Sequence, residues 1–141
     1  MRRTPEHTDE LQRRARPVLA RLAAVYGEPR VEAIEVRASG RLSASLARAY
    51  LREARVLVSI PLLTSRHLEE VLVHEVAHVV CWWRHGRTRP HGREWRALVE
   101  QAGQTARVRL APDDVRLPPR RRRRARRGSW GAARAFFAGL L

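Results

Sequence analysis

The stretch HEVAHVVCWWRHGRTRPHGREW, residues 74–95, decides how the chain is read. It begins inside an apolar run (Leu68, Val71, Leu72, Val76, Ala77, Val79, Val80) that covers most of a helix's circumference, so the spacing predicts a long, buried, central helix. On that helix His74 and His78 stand four residues apart and project from one face, one turn above the other. Glu75 follows the first histidine directly. Each unpartnered polar group in such surroundings costs on the order of 2–7 kcal/mol. A metal ion reached by both imidazoles removes that difficulty. Three fixed positions in five is still a short pattern that recurs by chance on ordinary helices, so a third ligand has to be found.

Zinc suits the donor set. Imidazole is a good zinc ligand, and an ion with three protein ligands keeps a position for a water whose pKa falls to ~7. Glu75 is then the candidate general base, taking the proton as hydroxide attacks a polarised carbonyl. The metzincin pattern asks for a glycine three residues and a histidine six residues beyond the second histidine; Cys81 and Arg84 stand there, so it fails. His85 lies two turns beyond His78 if the helix continues, ~10 Å away along the axis at 1.5 Å per residue. His91 follows a loop containing glycine and proline that can turn the chain back, and it opens the next helix. Glu94 and Glu100 on that helix are its rivals, because another class of zinc peptidase draws its third ligand from there.

Around this stretch the chain reads as α+β. From Pro5 to Tyr26 the apolar residues Leu11, Ala15, Val18, Leu19, Leu22 and Val25 recur at helical offsets, with Pro17 expected to bend or restart the helix and Gly27 to end it. Segments 31–36, 45–51 and 55–60 alternate as half-buried strands, and short connections predict a three-stranded antiparallel sheet. Pro61 closes the third strand. Thr64 or Ser65 is the expected N-cap of the central helix, with Glu69 and Glu70 favourably placed in its first turn. A shorter helix over 92–102 shows Trp95, Leu98, Val99 and Ala102 on one face. Trp82, Trp83 and Trp95 either line a groove or pack, and packing is the commoner use; Arg93 and Arg96 read as exposed helix positions.

The chain has 141 residues, enough for one domain with a modest core and a tail. We divide it at 5–105, the folded domain, and 106–141, an Arg-rich tail expected to be flexible. All 29 basic residues are arginine, a bias that a GC-rich genome also produces. Position is more telling than number: residues 1–104 carry 18 Arg against 12 acids, whereas residues 105–141 carry 11 Arg against 2. The run at 120–127 neutralises phosphates and makes bidentate contacts to them, so DNA is the expected partner of the tail, through salt-dependent and sequence-independent attachment. The single cysteine, Cys81, excludes an internal disulfide and a zinc ribbon built from several thiolates. No apolar run reaches 18 residues, and WGAARAFFAGLL at the end spans only 12. The expectation is a cytoplasmic protein without a membrane partner.

HEVAH followed by HGREW resembles the SprT-like metalloprotease family, whose signature pairs HExxH with a later HGxxW or HGxxF. His91, Gly92 and Trp95 match the second motif. The ARAYL and VLVSIPLL segments also resemble the sheet that precedes the family's catalytic helix. The resemblance runs over roughly residues 5–105. It implies that His74, His78 and His91 hold Zn2+, that Glu75 is the catalytic base, and that the fold is a minimal zincin-like domain with the third ligand on the short second helix. It also implies proteolysis of proteins bound or crosslinked to DNA, with nucleic acid stimulating activity. The cysteine-rich ribbon that many bacterial relatives carry has no counterpart, and the arginine run stands in its place. The alternative from another class is a non-catalytic nucleic-acid-binding protein whose zinc is structural, closed by a fourth ligand such as His85, Glu94 or Glu100. A hydrolase of small peptides or amides is a third.

Overall fold

The computed structural model describes residues 4–42 and 45–107. Helix α1 (Thr4–Tyr26) is followed by a 3-10 turn (Pro29–Ala33), strands β1 (Glu35–Ser39), β2 (Ala47–Tyr50) and β3 (Arg55–Ser59), a second 3-10 turn (Ile60–Thr64), and helices α2 (Leu68–His85) and α3 (Arg93–Gln101). The class is α+β, as expected. The arginine run at 120–127 and the terminal apolar segment lie outside the described residues.

The sheet departs from the expectation. Its order is β1-β3-β2, with β3 antiparallel to β2 but parallel to β1, so the sheet is mixed and not antiparallel. Alternation tells which residues face the core but not which strand lies beside which. Here the β1–β2 connection carries the chain past one strand position, and the β2–β3 hairpin folds β3 back into the gap. The first strand is also displaced towards the C-terminus, because Pro29, with its fixed φ and no N–H to donate, starts a 3-10 turn that absorbs Val31 as a buried residue. Val36 and Ala38 then point inwards.

Helix α2 is the hub, packing on α1, α3 and β2. Its residues from Val71 to Cys81 are all buried. It starts later than expected: residues 60–64 are used by the 3-10 turn, His67 occupies the cap position without a side-chain cap bond, and Ser65 Oγ accepts from the His67 N–H at 3.1 Å. It ends at Gly86, whose φ of 65° with a ψ of −139° is a conformation that glycine adopts without strain.

Helix α1 is not broken at Pro17. The helix runs on through it with Leu11, Ala15, Leu19, Leu22 and Tyr26 buried against the core, and Pro17 itself is exposed. Burial on the opposite face thus holds the helix together across a residue that supplies no N–H and crowds the preceding turn. Replacing Pro17→Ala should restore one helical hydrogen bond and stabilise the protein by about 1–3 kcal/mol. The check is a urea midpoint that rises with an unchanged m-value.

Candidate metal centre

The three expected histidines come together. His74 Nε2 lies 3.2 Å from His78 Nε2 and 3.1 Å from His91 Nε2, and the His78 and His91 nitrogens are 3.1 Å apart. His74 and His78 reach this point because they stack on one face of α2. His91 reaches it from the turn before α3. Its φ of 56° is left-handed, a conformation that costs a non-glycine residue of order 1–3 kcal/mol and persists only where the surroundings enforce it. Gly92 completes the turn: its N–H donates to the Arg89 carbonyl at 3.0 Å, and a Cβ there would stand 2.8 Å from that same oxygen. Glycine is therefore the residue that lets the chain fold back so tightly.

Three nitrogens in this arrangement fit an ion. Donors 2.0–2.1 Å from zinc at tetrahedral angles stand about 3.3–3.4 Å apart, close to the observed separations. Among the described residues no fourth histidine, cysteine, aspartate or glutamate joins the group. His85, Glu94 and Glu100 are outside it.

The electrostatics are those of neutral imidazoles. Burial pushes His74 down to about 3, helped by the charge of His91 and opposed by a backbone hydrogen bond at Arg107. A bond that favours the charged imidazole is one the ring donates, so its acceptor is the Arg107 carbonyl, and the nitrogen facing His78 and His91 then carries the lone pair. Burial also holds His78 well below the usual histidine range, with His74 and His91 adding to it. His91 is lowered by burial and by Arg96.

Glu75 is fully buried, and neither carboxylate oxygen has a hydrogen-bond partner. Burial raises its pKa to about 8. A carboxylate without a partner in so apolar a helix is expensive, and a nearby cation is the simplest compensation.

Trp95 forms the base of the centre. It is 1% exposed, and its Nε1–H donates to the His74 carbonyl at 3.2 Å. Its ring centroid lies 4.7 Å from His74, 5.3 Å from His78 and 4.7 Å from His91, touching all three imidazoles. The helical spacing of Trp95 marked it as a packing residue; that its packing partners are the three imidazoles was visible only in the HGxxW spacing, which puts it one turn beyond His91. The Arg107 contact had no sequence signal. Nor did the Cys81 Sγ to Thr88 Oγ1 contact at 3.4 Å, which ties the α2–α3 loop to the helix.

An α+β domain with three convergent imidazoles and an HExxH helix defines a class of candidate metal-binding proteins. The SprT-like family matches residues 15–120, and the chain belongs to that family. It is 31% identical to Protein SprT of Shigella boydii over 97 residues, 64% of this chain and 55% of the relative. Protein SprT of Yersinia pseudotuberculosis is 34% identical over 83 residues, 57% of this chain and 45% of the relative. A shorter match, 58% identical over 33 residues, links it to Protein SprT of Vibrio parahaemolyticus, covering 23% of this chain and 20% of that one. The chain thus spans between a fifth and about half of the length of these curated relatives. No solved structure matches it.

The depressed histidines set a pH dependence for the metal-free protein. As pH falls through ~6.5 the unfolded chain takes up protons on three histidines that the folded chain leaves neutral, so stability is lost on the acid side. Glu75 works in the opposite sense, since its raised pKa stabilises the fold at low pH and that contribution fades as pH rises towards 8. Three groups against one give the histidines the upper hand below neutrality. Urea midpoints of chelator-treated protein should fall steadily from pH 7 to pH 5, and less steeply for His78→Gln; a flat profile would contradict the assignment of three neutral imidazoles.

Proposed function

We propose that the chain is a zinc-dependent metallopeptidase of the SprT-like family, acting on proteins held on DNA. The observation that carries this reading is the meeting of three imidazole nitrogens within 3.2 Å of one another, two of them from the helix that also carries the unpartnered carboxylate of Glu75. Imidazole donors at tetrahedral spacing, with no thiolate among them, favour zinc. The lack of a fourth protein ligand among the described residues supports a catalytic centre over a structural one, which protein donors would close.

His74, His78 and His91 would hold the ion, which when bound supplies Lewis acidity that polarises a peptide carbonyl and acidifies water. The chain's own part is positioning and proton transfer. Glu75 accepts the proton of the attacking water on a carboxylate oxygen and returns it to the leaving amine. Trp95 keeps the three rings at fixed angles, and the Arg107 carbonyl fixes the tautomer of His74. Apolar α2 residues shield Glu75 from bulk water, which holds its affinity for a proton near that needed at neutral pH.

The DNA part of the reading rests on charge. The tail's 11 arginines against 2 acids make it a polycation that releases counterions on binding phosphates. Proteins already on DNA would then be concentrated near the metal centre.

Two experiments test these halves separately. Glu75→Gln should keep one zinc per chain by metal analysis while cleavage of an unfolded protein substrate drops at least a hundredfold, the scale expected for loss of a general base; activity near wild type in that variant rules out the mechanism. Truncation after Arg107 keeps the segment that contacts His74 and removes the arginine run. It should weaken binding to duplex DNA and flatten the dependence of log K on log[salt]. An unaltered slope removes the tail from the proposal.

A further inference from the structure

Beside the imidazole of His78 lies a partly open cavity of about 270 Å³, bounded by the β2–β3 turn on one side and the α2–α3 loop on the other. Its floor is apolar, formed by Ala49, Leu51, Cys81, Trp82 and Trp95. Its rim is not: Arg52, Arg87 and Arg89 line it against a single acid, Glu53. All four rim residues are exposed, and the arginines make no ion pair with any described residue, although those at positions 14, 21, 30, 37, 55 and 84 all do. Arg52 is held at the mouth, its guanidinium carbon 5.8 Å from the centroid of the Trp82 ring.

We propose that this cavity receives an apolar side chain of an extended protein segment whose neighbouring residues are acidic, and that Arg52, Arg87 and Arg89 set that preference. The inference rests on the peptidase reading above and names the kind of sequence that the site would accept. Size and lining argue for a side chain. The cavity is smaller than most small-molecule pockets, which run from about 300 to 1,000 Å³, and its floor rewards burial of carbon. A nucleic-acid backbone would satisfy the arginines and leave that floor wet, and the Trp82 face on which a base would stack already lies beside Arg52. Because His78 is part of the cavity wall, a side chain seated there belongs to a residue next to the one whose carbonyl meets the imidazoles. Unpaired cations around an apolar floor then select by charge the residues on either side, while the floor selects by shape.

The test uses the zinc-loaded full chain and two quenched fluorogenic dodecapeptides, identical but for glutamate or glutamine on either side of a central leucine. The glutamate peptide should show about tenfold higher kcat/KM at low ionic strength, since several exposed charge pairs each add a little, and the advantage should shrink as salt is raised. In R52E/R87E/R89E the ratio should fall to one or invert; R87E alone should lower it and carries the test if the triple variant does not fold. The ratio is taken within each variant, so a general loss of activity does not disturb it. Equal rates for the two peptides in the unaltered protein overturn the proposal, as does a ratio that survives the charge reversals. Anisotropy with labelled peptides and the zinc-loaded E75Q protein gives a second readout. Preferential binding of the glutamate peptide without cleavage by the unaltered protein upholds the cavity's selectivity and sinks the peptidase reading; cleavage without preference does the reverse. Displacement of the bound peptide by a lower concentration of single-stranded oligonucleotide, dependent on the same arginines, assigns the rim to nucleic acid and overturns the inference.

Discussion

Three imidazole nitrogens held within 3.2 Å of one another, two of them on buried side chains and the third on a half-buried one, are the constraint around which the domain is arranged. Each ring is costly on its own: burial depresses all three pKa values, His91 adds to the depression of His74, and both add to that of His78. The costs cancel only if the three lone pairs point at something positive. Glu75, one residue past His74 and fully buried, makes the same demand for a positive partner. Helix α2 carries three of these four groups, His74, Glu75 and His78, and it is enclosed by α1, α3 and the sheet instead of lying on the surface.

Meeting that constraint falls to a few backbone positions outside the helix. Gly86 stops α2 one residue after His85, so the helix does not carry the chain further from His74 and His78. Thr88 meets Cys81 and draws the loop back along the helix it has just left. His91 takes the left-handed conformation, and Gly92 tolerates a carbonyl where a Cβ would collide. Arg96 donates to the His91 carbonyl at 3.2 Å, bracing the strained residue from the first turn of α3. Each contribution is small, and each is local. Together they turn a histidine thirteen residues beyond His78 into its nearest neighbour.

Much of this was legible in the sequence because helical periodicity and ligand chemistry both leave marks at fixed spacings. The central helix, the short helix behind HGREW and the meeting of His74 with His78 follow from offsets of three and four. His91 was one of three choices from the residues alone, and only the resemblance separated it from Glu94 and Glu100. The sheet was less legible. Val36, Ala49, Val56 and Val58 alternate in the same way whether β1 pairs with β2 or with β3, so the parallel pairing of β1 and β3 lay beyond the pattern. Boundaries were missed where proline intervened: Pro29 and Pro61 each stand at the first or second position of a 3-10 turn, which displaced the first strand and delayed the start of α2. Pro17, by contrast, does not restart the helix, since propensity counts the lost hydrogen bond and not the buried face that outweighs it.

The strand order has a consequence for the site that the metal ligands do not reveal. With β3 in the middle, β2 becomes an edge, and its end at Ala49 and Leu51 lies against α2 close to His78. An antiparallel meander in chain order would have put β2 in the centre and β3 on that edge, with the turn carrying Arg52 and Glu53 still at one end of the sheet but a different face of residues lining the cavity. The mixed sheet therefore decides which side chains the centre sees across the cleft. The arginines opposite, Arg87 and Arg89, come from the loop that had to be short and irregular to bring His91 home. The geometry of the three histidines and the composition of the cleft are thus set by the same eight residues between His85 and Glu94, and a substitution there that spares the imidazoles still changes what can lie beside them.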